Sequence, residues 1–516
     1  MREFVLDGEP SRSADLLAEL TGGAPWVNGD RTRVRRRTWL DTFDWRLYRA
    51  GLTLEQTAVR DQTELQLTGR GGEALATQLL AAGHPGWPRL VSQLPPGPLR
   101  ELLEPVAGVR ALCPVARATS KVTELRALND DTKTVARLAI DRMSVTFPQR
   151  APAPARLTLT PVRGYPGVAE RLSGAIASQP GVRPARGSAL DTALAAAGLR
   201  AGELAGKAAR VQLSPSMPAG PALAMILLAL LDALEANVPG AMRDIDTEFL
   251  HDLRIAVRWT RSAVKLCGGA LPAALAADFL PEFRWLSDLT TPTRDLDVYL
   301  LDFPRMTAGL LAAAPADLSP FQDYLVRSRA TQYRRLAAGL KSARLARLLA
   351  GWRTALDSVR PAPKRPAVAQ VAAARIARAQ RRALRSGALI TPASPPDCLH
   401  DLRKRCKELR YLVEMFGSLH DPGQHWQAVK ELKALQNCLG AFQDAEVQQS
   451  EIRAFARQLL GRRSVPADTL LAMGEVAASL AAAQRTARRE FDGRFADFAS
   501  TAGQAGLSEL TKAASK

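Results

Sequence analysis

A chain of 516 residues is too long for one comfortable hydrophobic core and is expected to divide into two or three domains. Apolar residues make up 47% and charged residues 23%, which excludes a wholly disordered chain. A formal charge of +19 points to a polyanion as the partner.

The charge is spread evenly: residues 1–214 carry 29 Lys and Arg against 21 Asp and Glu, and residues 215–516 carry 41 against 30. Only local arrangement can therefore mark a binding surface. The most apolar stretch, ALAMILLALLDAL at 222–234, is short and carries Asp232, so a buried helix is expected and no membrane span. The opening MREFVLDGEP lacks a basic segment followed by an apolar one, which predicts no cleaved export signal and residence in the cytoplasm. Five scattered cysteines (113, 267, 398, 406 and 438) form no CxxC pair, and Cys267, Cys406 and Cys438 are expected as core thiols.

From residue 1 to about 205, short alternating segments such as Thr63 to Thr68 and Arg156 to Thr160 are broken by Pro and Gly, predicting a strand-rich α+β domain. QLPPGPLRELLEP at 93–105 reads as a turn leading into a short helix, and APAPAR at 151–156 as a connector between strands. The basic cluster Arg31, Arg33, Arg35, Arg36 and Arg37 fits a phosphate-attracting surface and an ordinary exposed strand or loop equally well. LSPSMPAGP at 213–221 then marks a boundary, giving a first domain over 1–205, a linker over 206–220 and a second domain over 221–505.

Beyond 221, apolar residues recur at three and four spacing, which predicts packed helices. Breaks are expected at Val238-Pro239-Gly240, near Pro281 and Pro292, at Pro315, at 361–366, at 391–397 and at Asp421-Pro422-Gly423, leaving eight to ten helices. The string His-Asp-Leu-Arg occurs twice, at 251–254 and 400–403, an offset of 149 residues. The same offset aligns Arg284 with Lys433, Leu286 with Leu435, Asp295 with Asp444 and Val298 with Val447. A register kept over almost fifty residues indicates a duplicated helical unit, with halves near 221–360 and 366–505.

Each copy opens a run of basic residues at helical spacing. With about 100° per residue, His251, Arg254, Arg258, Arg261 and Lys265 fall within an arc of about 80°. His400, Arg403, Lys407 and Arg410 repeat the stripe, with Lys404 just outside it and Leu402, Cys406, Leu409, Val413 and Phe416 on an adjoining apolar arc. Like charges three or four apart disfavour a helix by roughly 0.2–0.5 kcal/mol per pair, so an all-basic stripe kept in two copies points to an anionic ligand rather than to a plain solvated face. Histidine adds a hydrogen-bond donor whose charge grows on acidification. An HD-type metal site would need further ligands, and none accompanies either copy; His420 and His425 flank a Pro-Gly turn. Asp252 and Asp401, rotated about 100° from the histidines, are expected to cap or pair.

With HDLRIAVRWTR, LSDLTTPTRDLDVYL, HDLRKRCKELRYLVEMFG and LKALQNCLGAFQDAEV in place, the region from about 215 to 500 resembles the CHAD family, the conserved histidine α-helical domains. The resemblance implies an all-α domain of two four-helix bundles related by a pseudo-twofold axis, with a basic groove for inorganic polyphosphate. By position it implies binding through His251, Arg254, Arg258 and Arg261 with His400, Arg403, Lys407 and Arg410. It adds Arg284, Lys430 and Lys433 as a second row. Thr290-Thr291 depart from Leu439-Gly440, the form usual in that family, a difference expected to alter a helix end more than the ligand surface.

The segment WLDTFDWRLYRAGLTLEQ at 39–56 looks like part of a CYTH domain, the triphosphate tunnel fold. That resemblance implies an antiparallel β-barrel whose active members hold metal through inward Glu residues and triphosphate through Lys and Arg. Here REFVL stands at 2–6 for the family's ExExK, Leu54-Glu55-Gln56-Thr57 for its LRxR, and LTLT at 157–160 for its late acidic strand. The fold is therefore expected without the catalytic set, and without metal or other cofactor. The expectation for the whole chain is non-enzymatic polyphosphate binding, with recruitment to polyphosphate granules. A triphosphatase in the first domain is the second reading. Nucleic-acid binding is the third, disfavoured because Trp259 points near 80°, away from the basic arc, and aromatics are only 5%.

Overall fold

The computed structural model describes residues 2–7, 26–28, 32–59, 62–80, 86–202, 211–361, 366–461, 465–500 and 503–512. Arg31 lies outside them. The chain divides into two units, 1–205 and 206–516.

The first unit is an antiparallel sheet. Its strands are β1 (Arg2–Leu6), β2 (Trp26–Asn28), β3 (Arg33–Thr42), β4 (Thr53–Val59), β5 (Gln62–Thr68), β6 (Ala74–Leu80), β7 (Arg89–Leu90), β8 (Ala111–Leu128), β9 (Thr134–Phe147), β10 (Ala151–Pro152), β11 (Ala155–Pro161) and β12 (Val182–Pro184). The main path runs β12-β1-β11-β9-β8-β3-β4-β5-β6. Among the described residues four short helices flank it: α1 (Arg46–Arg49), α2 (Pro98–Ala107), α3 (Pro166–Ala177) and α4 (Ala189–Ala196). One sheet face buries Leu125, Leu138, Ile140 and Leu157 beside α3, and Leu54, Leu65 and Leu67 pack with Leu99 and Leu103 of α2. The alternation of strand residues places polar side chains on the other face. There β1, β3, β4 and β5 contribute to the lining of a cavity of about 890 Å³.

The second unit is helical: α5 (Ala219–Met242), α6 (Thr247–Cys267), α7 (Ala273–Ala308), α8 (Ser319–Leu340), α9 (Ala343–Asp357), α10 (Val368–Ala388), α11 (Pro396–Met415), α12 (Pro422–Leu460), α13 (Ala467–Ala499) and α14 (Ala505–Lys512). The duplication is visible in the helix starts, because α5 and α10, α6 and α11, and α7 and α12 each begin 149 residues apart. In each half the first three of these helices pack in sequence, α5 on α6 on α7 and α10 on α11 on α12. The halves meet where α6 touches α11, and in a core of Leu296, Phe303, Phe321, Ile452, Leu459 and Met473 drawn from α7, α8, α12 and α13. Among the described residues α5 alone is long and apolar enough to cross a membrane, and 61% of its most apolar window is buried.

Three expected breaks are absent. Pro239 lies inside α5, and Pro281 and Pro292 lie inside α7, which also runs through Pro304. A proline removes one backbone donor and crowds the preceding turn, at a cost of about 3 kcal/mol. Tertiary burial of Phe283, Leu286, Leu296, Tyr299 and Phe303 along the same helix outweighs that local cost. The breaks at Pro315, 391–397 and Asp421-Pro422-Gly423 are helix boundaries as read from the sequence. Asp421 caps α12 by accepting from the N–H groups of Gly423 and Gln424.

Candidate anion-binding surface

The two His-Asp-Leu-Arg strings lie one turn inside their helices, not at the first turn. α6 starts at Thr247, capped by the Asp246 carboxylate accepting from Glu248 and Phe249, and α11 starts at Pro396. Apolar residues fix the facing: Leu253, Ala256, Val257 and Val264 of α6 are buried, as are Leu402, Cys406, Leu409 and Val413 of α11. Asp252 is buried rather than presented to solvent, and Asp401 pairs with Lys404 at 3.2 Å.

The basic stripes of the two halves converge. The guanidinium of Arg258 on α6 lies 6.0 Å from the ring of Tyr411 on α11, and Trp259 packs on the same ring at 5.7 Å. Lys407 sits among Arg403, Arg258 and Arg410 and is half-buried. Burial first, then repulsion from Arg403 and Arg258, pushes its ammonium down to about 8, against which Asp444 pulls weakly. A lysine that would lose charge just above neutrality is stabilised by any anion placed beside it.

The remaining groups fall into place around this centre. Arg254 on α6 donates from Nη1 to Ser287 O at 3.3 Å, Thr290 Oγ1 at 3.0 Å and Thr291 Oγ1 at 2.7 Å, all on α7. Burial lowers its pKa, opposed by Asp295. Its counterpart Arg403 donates to Asp444 Oδ1 at 3.0 Å. His400 Nδ1 is hydrogen-bonded to Gln443, and Arg410 donates to Gln436 Oε1 at 3.0 Å. Arg261 is half-buried, whereas Lys265 is exposed beyond it. His251 is half-buried like His400.

The second row is less uniform. Arg284 and Lys433 are exposed one turn before Ser287 and Gln436, on the helix stripes that Arg254 and Arg410 touch. Lys430 stacks over Trp426 at 4.9 Å, so that aromatic ring serves the lysine. Thr290 and Thr291 overturn the sequence expectation for them: they stand mid-helix in α7 and hold Arg254, so their departure from Leu439-Gly440 bears on the basic surface and not on a helix end. Sequence reading also passed over Tyr411, Gln436, Gln443 and Asp444 as partners of the stripe. Asp295 and Asp444 had the one available signal, their common register at the 149-residue offset.

Residues 225–453 match the sequence model of the CHAD domain. Both His-Asp-Leu-Arg strings and the helices that carry them fall within the CHAD match. The chain is similar to the CHAD domain from the plant Ricinus communis, at 22% identity, covering 59% of this chain and 97% of that one with a TM-score of 0.44. It is also similar to PptA from Streptomyces chartreusis, at 18% identity, covering 54% of this chain and 99% of that one with a TM-score of 0.42. A candidate adenylate cyclase from Bacillus halodurans is similar at 12% identity, covering 34% of this chain and 90% of that one with a TM-score of 0.25. No curated protein matches the chain.

The cavity of the first unit does not fit the metal and triphosphate that a CYTH resemblance implies. Arg37 is clamped between Glu55, at 2.6 Å, and Asp141, at 2.9 Å, and Arg156 is paired with Glu3. Burial would lower the Arg37 pKa, but the two carboxylates outweigh it and hold it above its ordinary value. Carboxylates that neutralise guanidinium groups are poor ligands for a cation, and a neutralised guanidinium is a poor ligand for phosphate. Among the described residues no group of three or more His, Cys, Asp or Glu is placed to hold a metal ion. Arg33, Arg35 and Arg36 are exposed on β3. Cys267, Cys406 and Cys438 are buried thiols, with burial pushing Cys267 and Cys406 up to about 12.

Proposed function

We propose that the CHAD domain binds inorganic polyphosphate along α6 and α11, without chemistry, and that this binding recruits the protein to polyphosphate granules in the cytoplasm. The observation that carries the reading is the meeting of two basic stripes at Lys407, whose half-buried ammonium has its pKa depressed by burial and then by the nearby Arg403, Arg258 and Arg410. Like charges packed this closely oppose folding unless an anion joins them. A linear polyanion satisfies several of them at once and releases its condensed counterions, so affinity falls steeply with salt. Planar guanidinium groups suit it because each can meet two phosphate oxygens.

The test is a salt-titrated polyphosphate binding assay on the full chain, with DNA and RNA as competitors at equal phosphate concentration. Six or more phosphate contacts give a loss of about a thousandfold in affinity between 50 and 200 mM salt. Reversal of Arg258 and Lys407 to Glu is expected to abolish binding at moderate salt. Retained binding in that variant would mean that the stripe is the wrong site, and preference for nucleic acid would mean that the ligand is.

A further inference from the structure

Resting on that reading, we infer that the two halves of the basic surface are unequal by construction. Thr290 and Thr291 present Arg254 fully charged, while Asp444 acts as a built-in competitor that the ligand must displace from Arg403.

Arg254 and Arg403 are 149 residues apart and occupy equivalent places on α6 and α11. Each has an aspartate at the equivalent place on the following helix, Asp295 on α7 and Asp444 on α12. Arg403 pairs with its aspartate at 3.0 Å. Arg254 is hydrogen-bonded instead by neutral oxygens, two of them threonine hydroxyls at 3.0 and 2.7 Å, although Asp295 is near enough to influence it.

The orientation of those hydroxyls is fixed. Thr290 donates its proton to Leu286 O or Ser287 O and Thr291 to Ser287 O, one turn back, so their lone pairs remain for the guanidinium. In the second half Leu439 and Gly440 stand at these positions and offer no hydroxyl. A Cβ at 440 would lie 3.6 Å from Arg403 Nη2, which is where a threonine side chain would begin. With neutral acceptors Arg254 retains its whole charge for a phosphate. Arg403 shares its charge with Asp444, and its Nε is buried without a hydrogen-bond acceptor. A phosphate arriving at the second half exchanges for a carboxylate, whereas one arriving at the first half meets a guanidinium held only by neutral oxygens.

The experiment measures polyphosphate affinity at fixed salt for the full chain and for T290V/T291V, T290S/T291S, D444N and T290V/T291V/D295N, with thermal melting to confirm folding. D444N is expected to bind about three- to tenfold tighter. T290V/T291V, which keeps the side-chain shape and loses the acceptors, is expected to bind about three- to tenfold more weakly as Arg254 turns to Asp295. T290S/T291S is expected to retain affinity, and D295N to restore it in the valine background. Failure of the unaltered chain to bind would sink the polyphosphate reading itself. Binding by the unaltered chain that D444N weakens, or that T290V/T291V leaves unchanged, would overturn the inequality of the halves.

Discussion

Trp259 of the first half and Tyr411 of the second pack ring against ring at 5.7 Å, and Arg258, next in sequence to the tryptophan, reaches the same tyrosine at 6.0 Å. A contact that helps to join the halves is therefore also one that sets their basic stripes side by side. An aromatic pair of this kind contributes about 0.5–1.5 kcal/mol beyond its buried area, and the exposed Arg258 cation over the ring adds about 0.5–1 kcal/mol. Tyr411→Leu is expected to lower stability by about 2 kcal/mol in denaturant titration and to weaken polyphosphate binding together with it. Tyr411→Phe keeps the ring and is expected to leave both near their original values. Equal stability of the leucine variant would show that the aromatic contact does not join the halves.

Lys407 gives binding a pH dependence that histidine alone would not. Its ammonium is pushed down to about 8, and a neighbouring phosphate raises it again, so binding takes up a proton near pH 8 and weakens as pH rises through that value. The free protein behaves in the opposite sense. Because the folded pKa lies below the unfolded value of about 10.5, stability without ligand increases from pH 8 toward pH 10.5. Calorimetry of polyphosphate binding in buffers of different ionisation enthalpy at pH 8 reads the proton uptake. Lys407→Arg keeps the charge throughout and is expected to flatten the affinity between pH 7 and 9, whereas Lys407→Met is expected to melt higher at pH 7 while binding less.

The helical half was legible because its signal repeats. One offset of 149 residues relates the helix starts Ala219 and Val368, Thr247 and Pro396, and Ala273 and Pro422 as well as the basic stripes. The prolines misled because Pro281 and Pro292 act locally, while the burial of Phe283 and Leu296 that overrides them is tertiary. Thr290 and Thr291 misled for a related reason: their role depends on Arg254, which is 36 and 37 residues away in sequence and hydrogen-bonded only in the fold. In the first unit, the missing basic residues at 55 and 57 could be read from sequence, but the pairing of Arg37 with Glu55 and Asp141 could not, because it joins three strands.

Asp41, in the segment that looks like a CYTH domain, has a structural role. Its carboxylate accepts from the N–H groups of Thr42 at 2.6 Å, Leu47 at 2.9 Å and Tyr48 at 2.9 Å, and it holds a turn in which Trp45 takes a left-handed φ of 58°. Burial pushes its pKa up to about 6 despite those bonds. A folded value above the unfolded one means that the fold gains stability as pH falls from about 6 toward 4, and loses that contribution as pH rises. Asp41→Asn puts an amide N–H against one of the three donors and is expected to cost about 1–3 kcal/mol at pH 7. Melting curves from pH 4.5 to 7.5 check both statements, since the variant is expected to lose the pH dependence that Asp41 supplies.

The clamp on Arg37 makes a prediction about the cavity of the first unit. Glu55 bonds Arg37 through both carboxylate oxygens, at 2.6 Å each, and thus supplies from within the protein the oxygen pair that a phosphate would offer. Glu55→Gln removes the charge while keeping the size, and is expected to cost about 2–3 kcal/mol because charged hydrogen bonds to a half-buried guanidinium are lost. It also leaves Arg37 with Asp141 as its sole carboxylate partner, so tripolyphosphate is expected to raise the melting temperature of Glu55→Gln more than that of the unaltered protein. The unaltered chain is expected to release no phosphate from tripolyphosphate with magnesium or manganese. Metal-dependent turnover there would mean that the paired Glu3, Glu55 and Asp141 open to a metal, against the arrangement of their guanidinium partners.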